Sequence, residues 1–248
     1  MSKCLIVTGG GRGIGAEVSR KAAKQGYSVC VNFHRDQTSA QKLVRELEKE
    51  GANALAYQAD VSQEEEVETL FQTVERDLGT PEALVNNAGI LDLQTRVDGM
   101  NTERIQRIFA VNVTGSFLCA REAVKRMSTK YGGKGGSIVN LSSGAAKYGS
   151  PGEYVDYAAS KAAIDTLTIG LAKEVAEEGI RVNAVRPGFI DTEIHQSGGE
   201  PDRMERVRPL VPMKRVGQAE EVADAIMWLL SDKASYTTGT ILDVSGGR

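Results

Sequence analysis

A tyrosine and a lysine four residues apart, Tyr157 and Lys161, form the pair in this sequence best suited to acid–base chemistry. Residues at this spacing lie on one face of a helix, so the ammonium of Lys161 would favour the ionised form of Tyr157. A phenol, whose pKa is about 10 in water, transfers protons well when that pKa moves toward neutrality. The same pattern is typical of an ordinary surface pair, so the surrounding motifs decide between the two interpretations.

Two serines compete as a hydroxyl partner for Tyr157. Ser142 and Ser143 follow the predicted strand Ser137–Leu141, and ligands in open α/β sheets bind outside the carboxyl ends of strands. A hydroxyl there could donate to a carbonyl oxygen as that oxygen gains negative charge. Position alone leaves Ser142 and Ser143 as alternatives for this role. Tyr154 is not a candidate for the acid–base role, because no lysine follows it four residues later.

A glycine-rich loop, Thr8-Gly9-Gly10-Gly11-Arg12-Gly13-Ile14-Gly15, lies between the first predicted strand and a helical pattern over Ala16–Gln25. Glycines let backbone N–H groups approach a pyrophosphate, which then sits at the helix N-terminus. A tight strand–helix turn needs glycines anyway, which is the alternative interpretation. No Gly-Lys-Ser/Thr follows, so the loop is not of the Walker type.

Seven short apolar runs alternate with helical patterns along the chain. Most are continuous stretches of Val, Ile, Leu and Ala, as in strands that are covered on both faces. Strands separated by helices pair in parallel through right-handed crossovers. The pattern predicts an α/β fold, a single-domain doubly wound (Rossmann-like) sheet of about seven parallel strands with helices on both faces. The predicted strands are Lys3–Thr8, Ser28–Phe33, Asn53–Gln58, Ala83–Asn86, Ser137–Leu141, Ile180–Val185 and Thr240–Val244.

No linker or shift in composition divides the chain, so we predict one domain over residues 1–248. The longest irregular stretch runs from Pro187 to Arg215 and holds four of the six prolines. A loop of that length in a compact domain is usually functional. We predict a substrate lid over about residues 188–215, the alternative being a mobile surface insertion.

Composition excludes several classes of function. With 30 Lys and Arg against 33 Asp and Glu, the net charge is −3, which argues against a nucleic-acid binder. The longest apolar run, Ala225–Leu230, is far shorter than the roughly 20 residues that cross a bilayer, and the N-terminus shows no signal-peptide pattern. Three widely spaced cysteines suggest reduced thiols, so we expect a cytoplasmic protein. The two histidines, His34 and His195, are far apart, and we predict no metal site.

Four ordered motifs give the whole chain a resemblance to the classical short-chain dehydrogenases/reductases. They are Thr8-Gly9-x-x-x-Gly13-x-Gly15, Asn86-Asn87-Ala88-Gly89, Tyr157-x-x-x-Lys161 and Pro187-Gly188. The resemblance implies hydride transfer between a nicotinamide nucleotide and a carbonyl or hydroxyl compound, and a homo-oligomer, commonly a tetramer. The stretch Gly149–Tyr157 looks like that of uncharacterised bacterial oxidoreductases related to sugar dehydrogenases.

In that family the end of the second strand selects the nucleotide, an acid favouring NAD and basic residues favouring NADP. Phe33 takes the place of the acid, and Arg12, His34 and Arg35 are close to it in the expected fold, so NADP is favoured. NAD remains the alternative through Asp36. The other cofactor contacts implied by the resemblance are Gly9, Gly13, Ile14, Gly15, Asp60, Val61, Asn86, Ala88, Gly89, Tyr157, Lys161, Pro187, Gly188, Ile190 and Thr192.

The resemblance also implies a catalytic set. Ser143 polarises the carbonyl, Tyr157 is the acid or base, Lys161 tunes it, and Asn112 holds a water that links Lys161 to solvent. Asn112 lies in an apolar helical segment, where a buried amide must be hydrogen-bonded. A helix–helix contact is therefore the other interpretation of Asn112, and both can hold. The spacing between Ser143 and Tyr157 is one residue longer than is usual in the family, which suggests an insertion within Gly149–Asp156. The spacing from Ser142 is longer still, so the resemblance favours Ser143 and leaves Ser142 as a strand-end hydroxyl.

The leading hypothesis is an NADP(H)-dependent oxidoreductase that interconverts a small polar carbonyl compound and its alcohol. Its first alternative is an NAD-dependent sugar or alcohol dehydrogenase. A 3-oxoacyl-carrier-protein reductase is a second alternative, and it would need a basic docking patch such as Arg121, Lys125, Arg126 and Lys130. A nucleotide-sensing binding module without turnover is the alternative outside enzymes. We expect a small-molecule substrate and neither nucleic acid nor membrane as a partner.

Overall fold

The computed structural model describes residues 3–192, 200 and 203–248 of the chain. Its strands are β1 Cys4–Val7, β2 Ser28–Phe33, β3 Ala54–Gln58, β4 Pro81–Asn86, β5 Gly136–Leu141, β6 Ile180–Pro187, β7 Ile190–Asp191, β8 Gly217–Gln218 and β9 Ile241–Val244. Seven of them form one sheet in the order β3-β2-β1-β4-β5-β6-β9, and every pair is parallel. The prediction of a doubly wound parallel sheet is confirmed.

Helices cover both faces of this sheet. They are α1 Gly13–Lys24, α2 Gln37–Lys49, α3 Glu64–Asp77, α4 Thr102–Phe109, α5 Gly115–Met127, α6 Ala145–Tyr148, α7 Val155–Val175, α8 Arg203–Val207 and α9 Ala219–Leu230. One apolar core packs α1, α2 and α9 against the sheet. A second core packs α3, α5 and α7 against the opposite face. Because the strands are buried on both faces, they read in the sequence as continuous apolar runs.

The strand ends differ from the predicted ones by one or two residues. The largest differences, of two residues each, are at β4, which begins at Pro81, and at β6, which continues to Pro187 because β9 pairs with it as far as Pro187 and Val244. At α3, Ser62 does not cap the helix. Its hydroxyl donates to Asp60 at 2.8 Å, and Glu66 accepts the Asp60 N–H at 2.7 Å. These two hydrogen bonds hold the end of β3 close to the start of α3.

The stretch predicted to be irregular contains short regular elements. Strands β7 and β8 pair in parallel, so Ile190 lies opposite Gly217 and the chain returns to the point where it left the sheet. Helix α8 lies between these strands. Residues 193–199, which include His195, lie outside the described part. No described helix has both the length and the apolar character needed to cross a membrane.

Candidate active site

A cavity of about 1060 Å³ opens at the carboxyl edge of the sheet, where the loops after β1, β2, β4, β5 and β6 meet. This edge is where open α/β sheets bind ligands. Three of the residues predicted for the site, Gly15, Asn86 and Asn112, do not line it. Those that do are Gly9, Arg12, Gly13, Ile14, His34, Arg35, Asp60, Val61, Ala88, Gly89, Ser143, Tyr157, Lys161, Pro187, Gly188, Ile190 and Thr192.

The loop between β1 and α1 is packed so closely that a side chain at Gly15 has no room. A Cβ there would lie 2.6 Å from both the Gly9 carbonyl oxygen and the Asn87 Nδ2 atom. Gly15 therefore acts through packing, while Gly9, Gly13 and Ile14 face the cavity. The first N–H groups of α1 are left without helical partners at this edge. The loop and the helix end together form a cradle that fits a pyrophosphate.

Thr8 and Asn87 hold this loop against the end of β4. The Thr8 hydroxyl accepts the N–H groups of Asn87 and Ala88, both at 3.0 Å. The Asn87 amide donates to the carbonyls of Thr8 and Gly9, both at 2.9 Å. The motif Asn86-Asn87-Ala88-Gly89 thus braces the glycine loop through its second asparagine.

The prediction that Asn86 lines the cofactor site is wrong for its side chain. Its amide is buried and turned into the fold, where it donates to the Ser116 carbonyl at 3.2 Å and to Asn140 Oδ1 at 2.9 Å. Two consecutive asparagines at a strand end point in opposite directions, which explains why only Asn87 reaches the cavity. The sequence alone could not say which of the two was buried.

At the other end of the cavity, Arg12, His34 and Arg35 are exposed and line it together. The two guanidinium groups have no hydrogen-bond or ion-pair partner among the described residues. The His34 ring nitrogen lies 3.7 Å from an oxygen of Asp60. Phe33, at the position where an acid would select NAD, is buried in the core. This corner therefore offers free positive charge and no carboxylate from β2.

Asp36, the residue that would favour NAD, is held elsewhere. Its carboxylate caps α2 by accepting the Ser39 N–H at 3.0 Å. Hydrogen bonds from Ser39, with the nearby charge of Arg12, hold the pKa of Asp36 below its usual value. An acid committed to a helix cap is poorly placed to bind a ribose hydroxyl.

The Tyr157 hydroxyl is hydrogen-bonded to Ser143 inside the cavity. Ser143 also accepts the Ala145 N–H at 3.1 Å, which fixes the direction of its side chain. The hydroxyl of Ser142 is buried and donates instead to the Lys161 carbonyl at 3.2 Å. The structure thus places Ser143 beside Tyr157, while Ser142 ties β5 to α7. The catalytic role of Ser143 stays a prediction.

Lys161 lies beside Tyr157 but is only 4% exposed. Its Nζ atom donates to the Leu141 carbonyl at 2.6 Å and lies 5.7 Å from the centre of the Tyr157 ring. Burial lowers the pKa of Lys161 to about 8, and the charge of Asp165 opposes that change. A Cβ on Gly89 would lie 3.4 Å from this Nζ, so the small residue leaves room for the ammonium.

The expectation that Lys161 brings the pKa of Tyr157 toward neutrality differs from what the structure shows. Burial raises the pKa of Tyr157, and the groups that oppose this rise are Ser143, by a hydrogen bond, and Arg203, by its charge. Lys161 is turned toward Leu141, and its own positive charge is weakened by burial. The phenol therefore keeps its proton near neutral pH.

Asn112 sits in a single π-helical turn, Ala110–Thr114, between α4 and α5. Its side-chain oxygen accepts the Ile90 N–H at 2.8 Å, and its amide donates to the Ile90 carbonyl and to the Ser160 hydroxyl, both at 3.0 Å. The fully buried amide thus ties the loop after β4 to α7. These bonds match the packing interpretation of Asn112, and the water relay stays a prediction.

An ion pair that the sequence did not single out anchors the start of α7. Arg104 on α4 donates to both oxygens of Asp156, at 2.6 and 3.2 Å. The side chain of Asp156 is buried, and that of Arg104 is 10% exposed. Arg104 also donates to the Leu93 carbonyl at 2.5 Å. Since Asp156 immediately precedes Tyr157, this pair determines where the phenol enters the cavity.

We expect Asp156→Asn to lower the free energy of unfolding by about 3 kcal/mol, the lower end of the range for a buried pair, because it leaves the mostly buried Arg104 without a counter-charge. Urea unfolding followed by circular dichroism measures this loss. Asp98→Asn is the matched control, since Asp98 pairs with Arg96 on the surface and such pairs contribute about 0–1 kcal/mol. Equal effects of the two changes would show that the buried pair does not anchor α7.

Four charged residues join the lid to the loop before α7. Glu153 accepts from Arg203 at 2.8 Å and from Arg206 at 3.0 Å. Glu200 accepts from Arg206 at 2.5 Å and lies 3.6 Å from Arg203. The Arg203 guanidinium also packs on the Tyr154 ring, 4.9 Å from its centre. Tyr154, the tyrosine that was not a candidate for the acid–base role, therefore forms part of the lid contact.

The described residues contain no group of three or more His, Cys, Asp or Glu placed to hold a metal ion. The fold and the cavity define a nucleotide-binding α/β domain in which a phenol, a hydroxyl and an ammonium group meet at one end. Comparisons with known proteins assign it more closely.

The family model described as enoyl-(acyl carrier protein) reductase matches residues 9–248. The chain is 56% identical over 243 residues to the uncharacterized oxidoreductase YgfF of Escherichia coli, which covers 98% of each chain. It is 41% identical to 3beta-hydroxysteroid dehydrogenase 1 of Eggerthella lenta, over 99% of this chain and 93% of the relative. A short-chain dehydrogenase of Burkholderia cenocepacia, solved in complex with NADP, has a TM-score of 0.89 and 30% identity, over 99% and 97% of the two chains. The chain belongs to the short-chain dehydrogenase/reductase family and is an oxidoreductase.

Proposed function

We propose that this chain is an NADP(H)-dependent oxidoreductase that interconverts a small polar carbonyl compound and its alcohol, with Tyr157 as the acid or base. The observation that carries the proposal is the hydrogen bond between Tyr157 and Ser143, in the same cavity as the glycine loop. A phosphate cradle and a proton donor at opposite ends of one cavity suit a reaction between a nucleotide and a second substrate.

The residues present fit such a nucleotide. Close packing leaves no room for a side chain at Gly15. The face of the loop that lines the cavity is formed by Gly9, Gly13 and Ile14. Arg12 and Arg35 would hold a ribose 2′-phosphate, because a guanidinium is suited to a phosphate dianion. The solved Burkholderia relative was crystallised with NADP, which supports the same choice here. When bound, the nucleotide supplies or accepts the hydride.

The protein's own residues would handle the proton. Ser143 donates a hydrogen bond to the carbonyl oxygen of the substrate, which stabilises negative charge as it develops there. Tyr157 gives its phenolic proton to the same oxygen, and the alcohol is formed. Its raised pKa means that the phenol starts protonated near neutral pH. This state is ready for carbonyl reduction, whereas alcohol oxidation needs the phenolate first.

A carrier-protein substrate is not favoured by the surface. Arg121 contacts Glu64, Glu68 and Glu122, and Lys125 and Arg126 also pair with Glu122. The patch that would dock an acidic carrier protein is therefore neutralised by the protein's own glutamates. We keep a free small molecule as the proposed substrate.

The direct test is calorimetric titration of the purified protein with NADPH and with NADH at one salt concentration, followed by NADPH oxidation assays on a panel of small ketones and aldehydes. We expect NADPH to bind at least about tenfold more tightly, which corresponds to ~1.4 kcal/mol. Tighter binding of NADH would overturn the assigned nucleotide. Binding of neither would overturn the proposed function.

We expect Arg35→Ser to weaken NADPH binding by about ten- to a hundredfold, since a charged hydrogen bond contributes about 1.5–3 kcal/mol. NADH affinity should stay unchanged, because NADH lacks the 2′-phosphate. Arg45→Ser is the matched control, as Arg45 is exposed on α2 and faces away from the cavity. A parallel loss of affinity for both nucleotides would contradict a phosphate contact.

We also propose that the chain forms a homo-oligomer, a tetramer by resemblance, through α5 and α7. On α7, Leu167 and Val175 are buried, while Ile169 is 40% exposed. Phe117 lies on α5, a helix that contacts α7, and is 50% exposed.

A Phe117→Glu, Ile169→Glu double variant should therefore shift the mass in solution toward the monomer. Light scattering on a sizing column measures this, with Tyr236→Glu as a control at a fully exposed position. An unchanged oligomer would exclude this surface as the interface.

A further inference from the structure

Two arginines that line the cavity each have a buried guanidinium nitrogen without a hydrogen-bond partner. Four buried side-chain atoms in the described part of the chain lack one, and two of these are Arg203 Nε and Arg248 Nη1. Burying a donor without a partner costs about 1–3 kcal/mol. Two such arginines lining one cavity therefore suggest a ligand that supplies the missing partners.

Both guanidinium groups pack on the same aromatic ring. Arg203 lies 5.8 Å and Arg248 4.5 Å from the centre of the Phe189 ring. Each also packs on a tyrosine, Arg203 on Tyr154 at 4.9 Å and Arg248 on Tyr148 at 5.0 Å. Rings on two sides limit the freedom of each side chain, so its donors are oriented before any ligand arrives.

The backbone holds Arg248 in this place. Gly246 has a φ of +64°, and a Cβ there would lie 2.8 Å from Val211 Cγ1, so only glycine fits. Its carbonyl accepts the Met213 N–H at 3.1 Å, which joins this turn to the end of the lid. The Ser245 hydroxyl donates to the main-chain oxygen of Arg248 at 2.6 Å. The guanidinium is thus presented to the cavity by a constrained turn.

This end of the cavity carries surplus positive charge from side chains. Arg203 and Arg206 are balanced by Glu153 and Glu200. Arg248 and Lys161 both line the cavity. Arg248 has no ion-pair partner among the described residues. Of the cavity's other acids, Asp92 pairs with Arg107, and Asp36 and Asp60 lie at the nucleotide end.

We infer that the substrate carries a carboxylate, and that Arg203 and Arg248 bind it beside Tyr157. The inference rests on the proposed function, since it names the substrate class for that site. A carboxylate matches the planar fork of a guanidinium and would satisfy the two unpartnered donors. Arg203 is near enough to act on Tyr157 by its charge, so a carboxylate held there places a neighbouring carbonyl close to the phenol.

The test compares ketone probes that differ only in charge. Pyruvate and pyruvamide, acetoacetate and acetoacetamide, and benzoylformate and benzoylformamide are titrated calorimetrically into the full chain, with and without NADP⁺. We expect at least one anion to bind about tenfold or more tightly than its amide. Arg248→Met should remove that difference and leave amide binding unchanged. Arg203→Met should do the same if that variant folds. If it does not fold, the Arg248→Met variant alone decides the test.

Arg208→Met is the matched control, because Arg208 is an exposed lid arginine that does not line the cavity. It should keep the preference for the anion. Equal affinity for anions and amides, failure of every anion to bind, or a preference that survives Arg248→Met would each overturn the inference. Failure of NADP⁺ and NADPH to bind would instead overturn the proposed function, and the titrations without nucleotide would still test the carboxylate site.

Discussion

Replacement of Tyr157 by phenylalanine is expected to lower kcat/KM for every accepted carbonyl substrate by about 10²–10⁴-fold, the usual contribution of a positioned acid or base. The change removes one oxygen and keeps the ring that lies beside Lys161. NADPH affinity should change far less than kcat/KM, because the glycine loop and the arginines near the ribose are untouched. Steady-state NADPH oxidation and nucleotide titration measure the two quantities separately.

Tyr131→Phe is the chemical control, since Tyr131 is 60% exposed and does not line the cavity. It should retain full activity. Undiminished turnover in Tyr157→Phe would remove the acid–base assignment. A wild-type protein that binds NADPH but turns over no carbonyl or alcohol would instead favour the nucleotide-sensing module.

Lys161→Met is expected to abolish most activity and at the same time to stabilise the protein by about 2–3 kcal/mol near neutral pH. One pKa unit is worth about 1.4 kcal/mol, and burial lowers the pKa of Lys161 from 10.5 to about 8. Holding the ammonium in the fold therefore costs free energy, part of which the bond to the Leu141 carbonyl offsets. Urea unfolding of both proteins across the pH range measures the gain.

The sign of the pH dependence follows from proton binding. Below a pH of about 8 the folded and unfolded forms both hold the proton, and the cost is present in full. Between about 8 and 10.5 the unfolded form binds more protons, so wild-type stability rises with pH relative to the variant. The advantage of Lys161→Met should therefore shrink across this window. Lys173→Met, at an exposed position of α7, should show neither the gain nor the window, and a constant gain at all pH values would exclude burial of charge as its cause.

The position of the site could be predicted from local patterns. The glycine loop follows the first strand directly, and the serines follow the fifth, so a parallel sheet must bring both to one edge. Tyr157 and Lys161 are one helical turn apart and need no long-range information to share a face. These spacings predicted which residues meet in the cavity.

The chemistry inside the cavity depends on contacts that no local pattern contains. Asn86 and Asn87 are neighbours with the same side chain, and only packing against Ser116 and Asn140 decides that the first is buried. The pKa of Tyr157 rises because of burial, and a helical spacing does not report burial. The sequence predicted that the charge of Lys161 lowers the pKa of Tyr157. In the structure, the charge that lowers this pKa belongs to Arg203.

By itself, the sequence determined the class of the fold, a doubly wound parallel sheet, together with the glycine loop and the helical spacing of Tyr157 and Lys161, because each is a pattern of residues that are close together in the chain. Only the tertiary structure decided that Arg203 and Arg248 face Phe189 in the cavity and that Arg104 anchors α7 through Asp156. These partners are brought together by the folded backbone across long stretches of chain. Their burial, rather than their residue type, determines the energy of the contact.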